Sequence, residues 1–161
     1  AEPFQAFIDV YYETFYSPGN MPEKVVDYCR KTGQQAPSDM GSIVRIVMES
    51  LAMKYRSAVE GLEEITGSKV PVLHIVGGGC KNTMLSQYTA DVLNRPVTAG
   101  PVEATAIGNI MSQLIALKEI YDLNEAREVV KRSFPTEEYK PENADAWNEA
   151  YGIYKDIIKK I

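Results

Sequence analysis

The chain has 161 residues, 45% of them hydrophobic and 24% charged, with a formal net charge of −5. A chain of that size suits one domain of ordinary dimensions. The acidic balance argues against a nucleic-acid backbone binder, which would show a basic face, and no apolar run approaches the roughly 18 residues of a membrane span.

No basic stretch followed by an apolar run opens the chain, so no secretory signal is read and a cytoplasmic location is expected. Two cysteines, Cys29 and Cys80, lie far apart without zinc-ligand spacing, and His74 is the single histidine; reduced thiols are expected. The opening "AEPFQAFIDVYYETF" carries no initiator methionine and reads as the interior of a longer polypeptide.

Residues 4–16 mix aromatic and apolar side chains without a clean period, and "SPGNMP" at 17–22 is a turn cluster. A short helix is predicted from Pro22 to Lys31, stopped by Gly33. A long amphipathic helix follows from about 39 to 66, with Ser38 as candidate N-cap and Gly67 as the glycine beyond its end. Ile43, Val47, Leu51, Tyr55, Ala58, Leu62 and Ile65 form its expected apolar face.

"PVLHIVGGG" then reads as a buried strand running into three glycines, Gly77, Gly78 and Gly79. A helix starting at Asn82 or Thr83 runs to Leu93, and Asn94 closes it. "PVTAG" at 96–100 is a short strand. Residues 101–120 form a helix opened by Pro101 and apolar nearly all round, hence expected to be buried. Two helices fill the tail: one capped by Asn124 and ending near Arg132, the other over about 142–160. Trp147, Tyr151, Tyr154, Ile158 and Ile161 lie on one stripe of the last, and "FPTEEYKP" is a polar connector between the two.

Strand, helix, strand implies a parallel pair with a right-handed crossover. Two strands do not make a self-sufficient sheet. Either residues 4–16 supply a third strand or further strands precede this segment.

The glycine run fails both common phosphate-loop patterns. Lys81 has no Ser or Thr beside it, so GxxxxGK[ST] is absent. Asn82 stands where GxGxxG needs its last glycine. A bare strand-to-helix turn remains possible, but three glycines exceed what such a turn needs. Bare backbone at a helix start also offers N–H groups and the positive end of a dipole to a nucleotide or phosphate. Asn82 is either an N-cap or an amide able to read a base edge. His74 is expected to be a packed core or interface residue. Glu103 suits a helix start without any function, Gly108 suggests close packing, and Cys80 has no adjacent base. No nucleophile triad, carboxylate pair or metal cluster is legible.

The stretch "LHIVGGGCKNTMLSQYTADVLNRPVTAGPVEATAIGNIMSQLIAL" (73–117) closely resembles the C-terminal domain of the FGGY sugar kinases. The shared pattern is GGGxxNxxxxQxxAD, met at Gly77–Gly79, Asn82, Gln87 and Ala90-Asp91. Pro96-Val97 and a GPVEAT-x-x-GN helix start from Gly100 to Asn109 complete it. That helix start and Gly108-Asn109-Ile110 resemble the branch acting on L-rhamnulose, with L-fuculose or L-xylulose as alternatives. Where related enzymes carry an acidic pair, this chain has Tyr11-Tyr12.

The resemblance implies an α/β fold: part of an actin-like (ribonuclease H-like) ATPase domain, helix-rich, with a βαβ core. It implies that residues 1–161 form the second, ATP-binding domain segment of a two-domain enzyme, with the first domain and first strands upstream. The parent would transfer the γ-phosphoryl of ATP to a ketose, with Mg2+ and the catalytic aspartate held outside this segment. Gly77, Gly78 and Gly79 would form a backbone platform beside adenosine, and Asn82 would address the adenine side. The isolated segment would be inactive. Expected partners are ATP and, through the upstream part, the ketose; neither nucleic acid nor membrane is expected. An unpaired sheet edge would permit a homodimer. A non-catalytic nucleotide-binding or interaction module is the alternative from another class.

Overall fold

A computed structural model describes residues 1–160. Ile161, placed by the sequence on the last helical stripe, lies outside the described residues. In chain order come α1 (Met21–Lys31), α2 (Met40–Thr66), β1 (Leu73–Ile75), α3 (Thr83–Leu93), β2 (Val97–Ala99), α4 (Ala104–Ala116), α5 (Leu123–Ser133), β3 (Glu137–Tyr139) and α6 (Ala144–Ile158). Single-turn 3-10 segments occupy Glu13–Tyr16 and Gly78–Lys81.

The sheet order is β1-β2-β3. β1 and β2 are parallel, with Leu73, His74 and Ile75 opposite Val97, Thr98 and Ala99. β3 runs antiparallel to β2, Ala99 facing Glu137 and Val97 facing Tyr139. The expected parallel pair and its helical crossover are present. The third strand comes from within the "FPTEEYKP" connector, which the charges of Glu137, Glu138 and Lys140 disguise as pure loop.

Residues 4–16 do not supply that strand. They form an irregular strap, buried at its centre, whose backbone there is satisfied by side chains instead of a ladder. The Phe4 amide donates to Glu49 Oε2 at 3.0 Å and the Ile8 amide to Ser50 Oγ at 3.0 Å. Gln34 closes a two-way bond with Phe7, both arms 2.8 Å. Ala6, Phe7 and Ile8 are buried by this arrangement.

The long helix α2 forms nearly as expected, but its buried face is rotated from the predicted stripe. Ile46, Glu49, Ser50, Met53, Val59 and Glu63 face inward, while Tyr55, Leu62 and Ile65 are exposed. Two carboxylates account for the difference, because a buried charge is tolerated when fully partnered. Glu49 accepts from Phe4 and from Arg45 Nε at 2.7 Å. Burial raises its carboxyl pKa, against the opposing pull of Arg45. Glu63 accepts from Arg95, from the Val70 amide at 2.7 Å and from Lys69 at 2.9 Å. Those bonds, Arg95 first, hold its carboxyl down at about 2.

The N-cap of α2 is Asp39, not Ser38: its carboxylate accepts from the Ser42 amide at 3.0 Å and the Ser42 hydroxyl at 2.6 Å. Gly67 does close the helix with φ +66°, and Asn94 closes α3 with φ +50°. α5 is capped by Asp122, two residues earlier than Asn124, through bonds from the Asn124 and Glu125 amides.

α4 departs most from expectation. It is apolar nearly all round, yet among its residues only Ile107 is buried. The helix leaves the sheet at Gly100 and lies chiefly against α5, so most of its apolar surface meets no second layer among the described residues. β1 is likewise less buried than its sequence suggests, with His74 exposed, because it is an edge strand with one partner.

The main core lies between α2, α3 and α6. Trp147 packs edge-on to Phe4 at a ring-centroid distance of 4.9 Å and against Tyr88 at 5.0 Å. Tyr151 and Tyr154 complete the packing stripe expected of the last helix. A second cluster joins the strap to α1 through Ile8, Val25 and Tyr28. No helix among the described residues is long and apolar enough to cross a membrane.

Candidate functional site: the glycine loop

β1 ends at Ile75, and the chain turns through Gly77 into the 3-10 segment and then α3. Gly77 sits at φ +76°, ψ −165°, a region that essentially only glycine occupies without strain. Its amide donates to the Pro101 carbonyl at 3.1 Å, which ties the loop to the start of the α4 connection. Within the loop the Cys80 amide donates to Gly77 O at 3.2 Å, and the Asn82 amide to Gly79 O at 3.1 Å.

Gly78 and Gly79 differ from Gly77. Neither has a positive φ, and a Cβ added at either would meet nothing within 4 Å. Both are exposed. The fold therefore requires a glycine at position 77 but gives no steric or conformational reason for the next two.

Asn82 is half-buried and caps α3, its Oδ1 accepting from the Leu85 amide at 3.0 Å. Its Nδ2 reaches Met48 Sδ at 3.3 Å on α2. The capping geometry allowed by the sequence is thus realised. The four residues singled out from the sequence, Gly77, Gly78, Gly79 and Asn82, share one continuous shelf between β1 and α3.

Cys80 is buried within the loop and Cys29 within the second core cluster, both as free thiols. Burial pushes the Cys29 thiol up to about 11. His74 points to solvent and has no role in the core. Glu103 stands at the start of α4 without a side-chain capping bond. Gly108 faces open space, so close packing does not explain it among the described residues. Two surface hollows, of about 420 and 460 Å³, lie elsewhere, beside Glu63 and Lys69 and beside Asn94 and Glu142.

The sequence reading missed the neighbours that brace this shelf. Gly100, at φ +115°, donates its amide to Ile75 O at 2.8 Å. Gln87 Nε2 donates to Lys140 O at 2.8 Å and to Asp91 Oδ1 at 2.9 Å, and Asp91 Oδ1 also accepts from the Glu142 amide at 2.8 Å. Gln87 and Asp91 were visible as motif letters. Their partners lie on the tail, which nothing in the motif announces.

The structure is similar to that of the xylulose kinase from Rhodospirillum rubrum, with a TM-score of 0.61 at 23% identity over 79% of this chain and 26% of that one. That likeness, with the βαβ core, defines the fold class: a helix-rich α/β chain built on a small mixed sheet. Residues 1–117 match the model of the FGGY family of carbohydrate kinases, C-terminal domain, and the chain belongs to that family. It is 40% identical over 158 residues to the rhamnulokinase of Bacteroides thetaiotaomicron, covering 98% of this chain and 33% of that protein. The rhamnulokinase of Bacillus subtilis is 39% identical, covering 99% of this chain and 33% of its own length. For that of Enterococcus faecalis the identity is 44%, over 89% of this chain and 29% of the relative. The chain therefore spans about a third of the length of these curated relatives.

Proposed function

We propose that residues 1–161 are the ATP-binding segment of the second domain of a kinase that phosphorylates L-rhamnulose to L-rhamnulose 1-phosphate. One observation carries the reading: Gly78 and Gly79 are glycines in open space that the fold does not need. A flat ligand lying against their backbone accounts for both. The family and the rhamnulokinase relatives support adenosine as that ligand and L-rhamnulose as the acceptor.

In this reading Gly77 sets the turn, Gly78 and Gly79 form the platform, and Asn82 presents its amide toward the adenine while capping α3. Phosphoryl transfer depends on positioning and charge neutralisation, and this shelf supplies positioning at the adenosine end. No group of three His, Cys, Asp or Glu converges among the described residues. In this reading Mg2+ is held mainly, and the catalytic aspartate and the sugar site lie, in the part of the protein outside 1–161. A cytoplasmic enzyme agrees with two free thiols.

The test is steady-state kinetics on the intact gene product. Gly78→Val should raise KM for ATP and leave KM for L-rhamnulose unchanged; an unaltered ATP KM would refute the platform. L-fuculose and L-xylulose, assayed in parallel, should give lower kcat/KM than L-rhamnulose. The isolated 161 residues should show no turnover in a coupled assay. The free edge of β1 is proposed as a pairing site for a second copy of the isolated segment, which a monomeric elution in size-exclusion chromatography would exclude.

A further inference from the structure

The loop is not an independent turn. Gly77 hangs from Pro101 through a 3.1 Å bond, and the residue before Pro101 is Gly100, whose own amide is fixed to Ile75 O at 2.8 Å. Gly100 is pressed on its other side by the tail. A Cβ added there would lie 3.3 Å from the Pro135 carbonyl oxygen and 3.5 Å from Thr136 Cγ2. With φ at +115° and that contact, position 100 has both a conformational and a steric need for glycine.

Pro135 and Thr136 lead directly into β3, where Glu137 pairs with Ala99. Past the far end of β3, Gln87 grips Lys140 O and Asp91 grips the Glu142 amide. Both gripping residues sit on α3, the helix that the glycine loop starts. The tail strand is therefore clamped between the Gly100 turn and α3, and those same two elements hold the two ends of the loop. Residues 134–142 lie outside the family match of 1–117.

We propose that Gly100 is a positioning residue for nucleotide binding: its contact with Pro135 and Thr136 lets the tail strand β3 set the place of the Pro101 carbonyl, and through it the glycine platform. This rests on the reading of the loop as the adenosine platform. Gly100 touches no nucleotide in this scheme and acts only through Gly77.

The experiment uses the intact gene product, with KM for ATP and for L-rhamnulose measured separately on wild type, Gly100→Ala, Gln87→Ala and Gly78→Val. Gly100→Ala should raise the ATP KM by about three- to tenfold, the range set by the weakening of one backbone hydrogen bond, with the ketose KM unchanged. Gln87→Ala, which frees Lys140 O without touching the turn, should raise the ATP KM in the same sense but less. If Gly100→Ala does not accumulate as folded protein, Gln87→Ala decides. An unchanged ATP KM in the deciding variant, or a parallel rise in both KM values, overturns the proposal. The Gly78→Val arm separates the two failures. If it raises the ATP KM while Gly100→Ala does not, only the positioning role falls; if it does not raise it, the platform reading falls and the positioning role with it.

Discussion

Adjacent glycines with opposite reasons for being glycine offer a direct test, because one substitution made at two neighbouring positions should have opposite effects. Gly77→Ala places a Cβ at φ +76°, ψ −165°, which costs about 1–3 kcal/mol of backbone strain. For a domain of this length each kcal/mol moves Tm by about 3 °C, so a loss of about 3–9 °C is expected. Gly78→Ala places its Cβ in open space at a backbone conformation outside the left-handed region. It should leave stability unchanged or raise it by about 0.4–1 kcal/mol, because the unfolded chain loses freedom that the native backbone does not use. Urea and thermal unfolding followed by far-UV circular dichroism would give both numbers, and isothermal titration with ATP would give the functional side. Gly78→Ala should weaken ATP binding although it does not weaken the fold. Equal destabilisation by the two substitutions would refute the reasoning, since it would make Gly78 a structural glycine like Gly77.

Acid stability should report on Glu63. Its folded-state carboxyl is held from 4.5 down to about 2, so its contribution is fully present above about pH 4.5 and is lost as pH falls toward 2. Glu63→Gln should lower the unfolding free energy at neutral pH and flatten its decline between those limits; identical pH profiles for variant and wild type would show that the Arg95 and Lys69 bonds do not hold in solution. Trp147 is 3% exposed and touches both Phe4 and Tyr88. Trp147→Ala should cost about 3–5 kcal/mol in chemical denaturation, and a loss under about 1 kcal/mol would place the core elsewhere.

The helices were legible wherever their ends carry their own chemistry, as at Gly67 and Asn94. The face of α2 was not, because hydrophobic spacing cannot weigh a buried glutamate whose partners come from elsewhere in the chain: Phe4 for Glu49, and Arg95 for Glu63. β3 was hidden for the opposite reason. Two of its three residues are charged, and its place beside β2 comes from pairing and from Gln87 and Asp91, not from any apolar pattern. α4 shows the reverse error, since apolar composition indicates what a helix could bury and not whether a neighbour is present. At the glycine shelf, the sequence singled out Gly77, Gly78, Gly79 and Asn82, which the fold sets side by side between β1 and α3. It could not tell that Gly77 is demanded by its φ while Gly78 and Gly79 are not, since that distinction lives in backbone angles and empty space. Gly100 was visible only as a motif letter, its reason lying in Pro135 and Thr136, 35 positions or more away in a segment that reads as linker.

The strap packs against α6, Phe4 against Trp147 and Phe7 against Tyr154. That arrangement dictates an order of events during synthesis. Phe4 and Phe7 leave the ribosome about 140 residues before Trp147 and Tyr154, a wait of roughly 7–30 s at about 5–20 residues per second. For that interval Phe4 and Phe7 lack the aromatic cover of α6, although α3 already covers much of the inner face of α2. A stop codon placed before Trp147 should therefore yield aggregates, not a smaller folded core, and a soluble, cooperatively unfolding product would refute this.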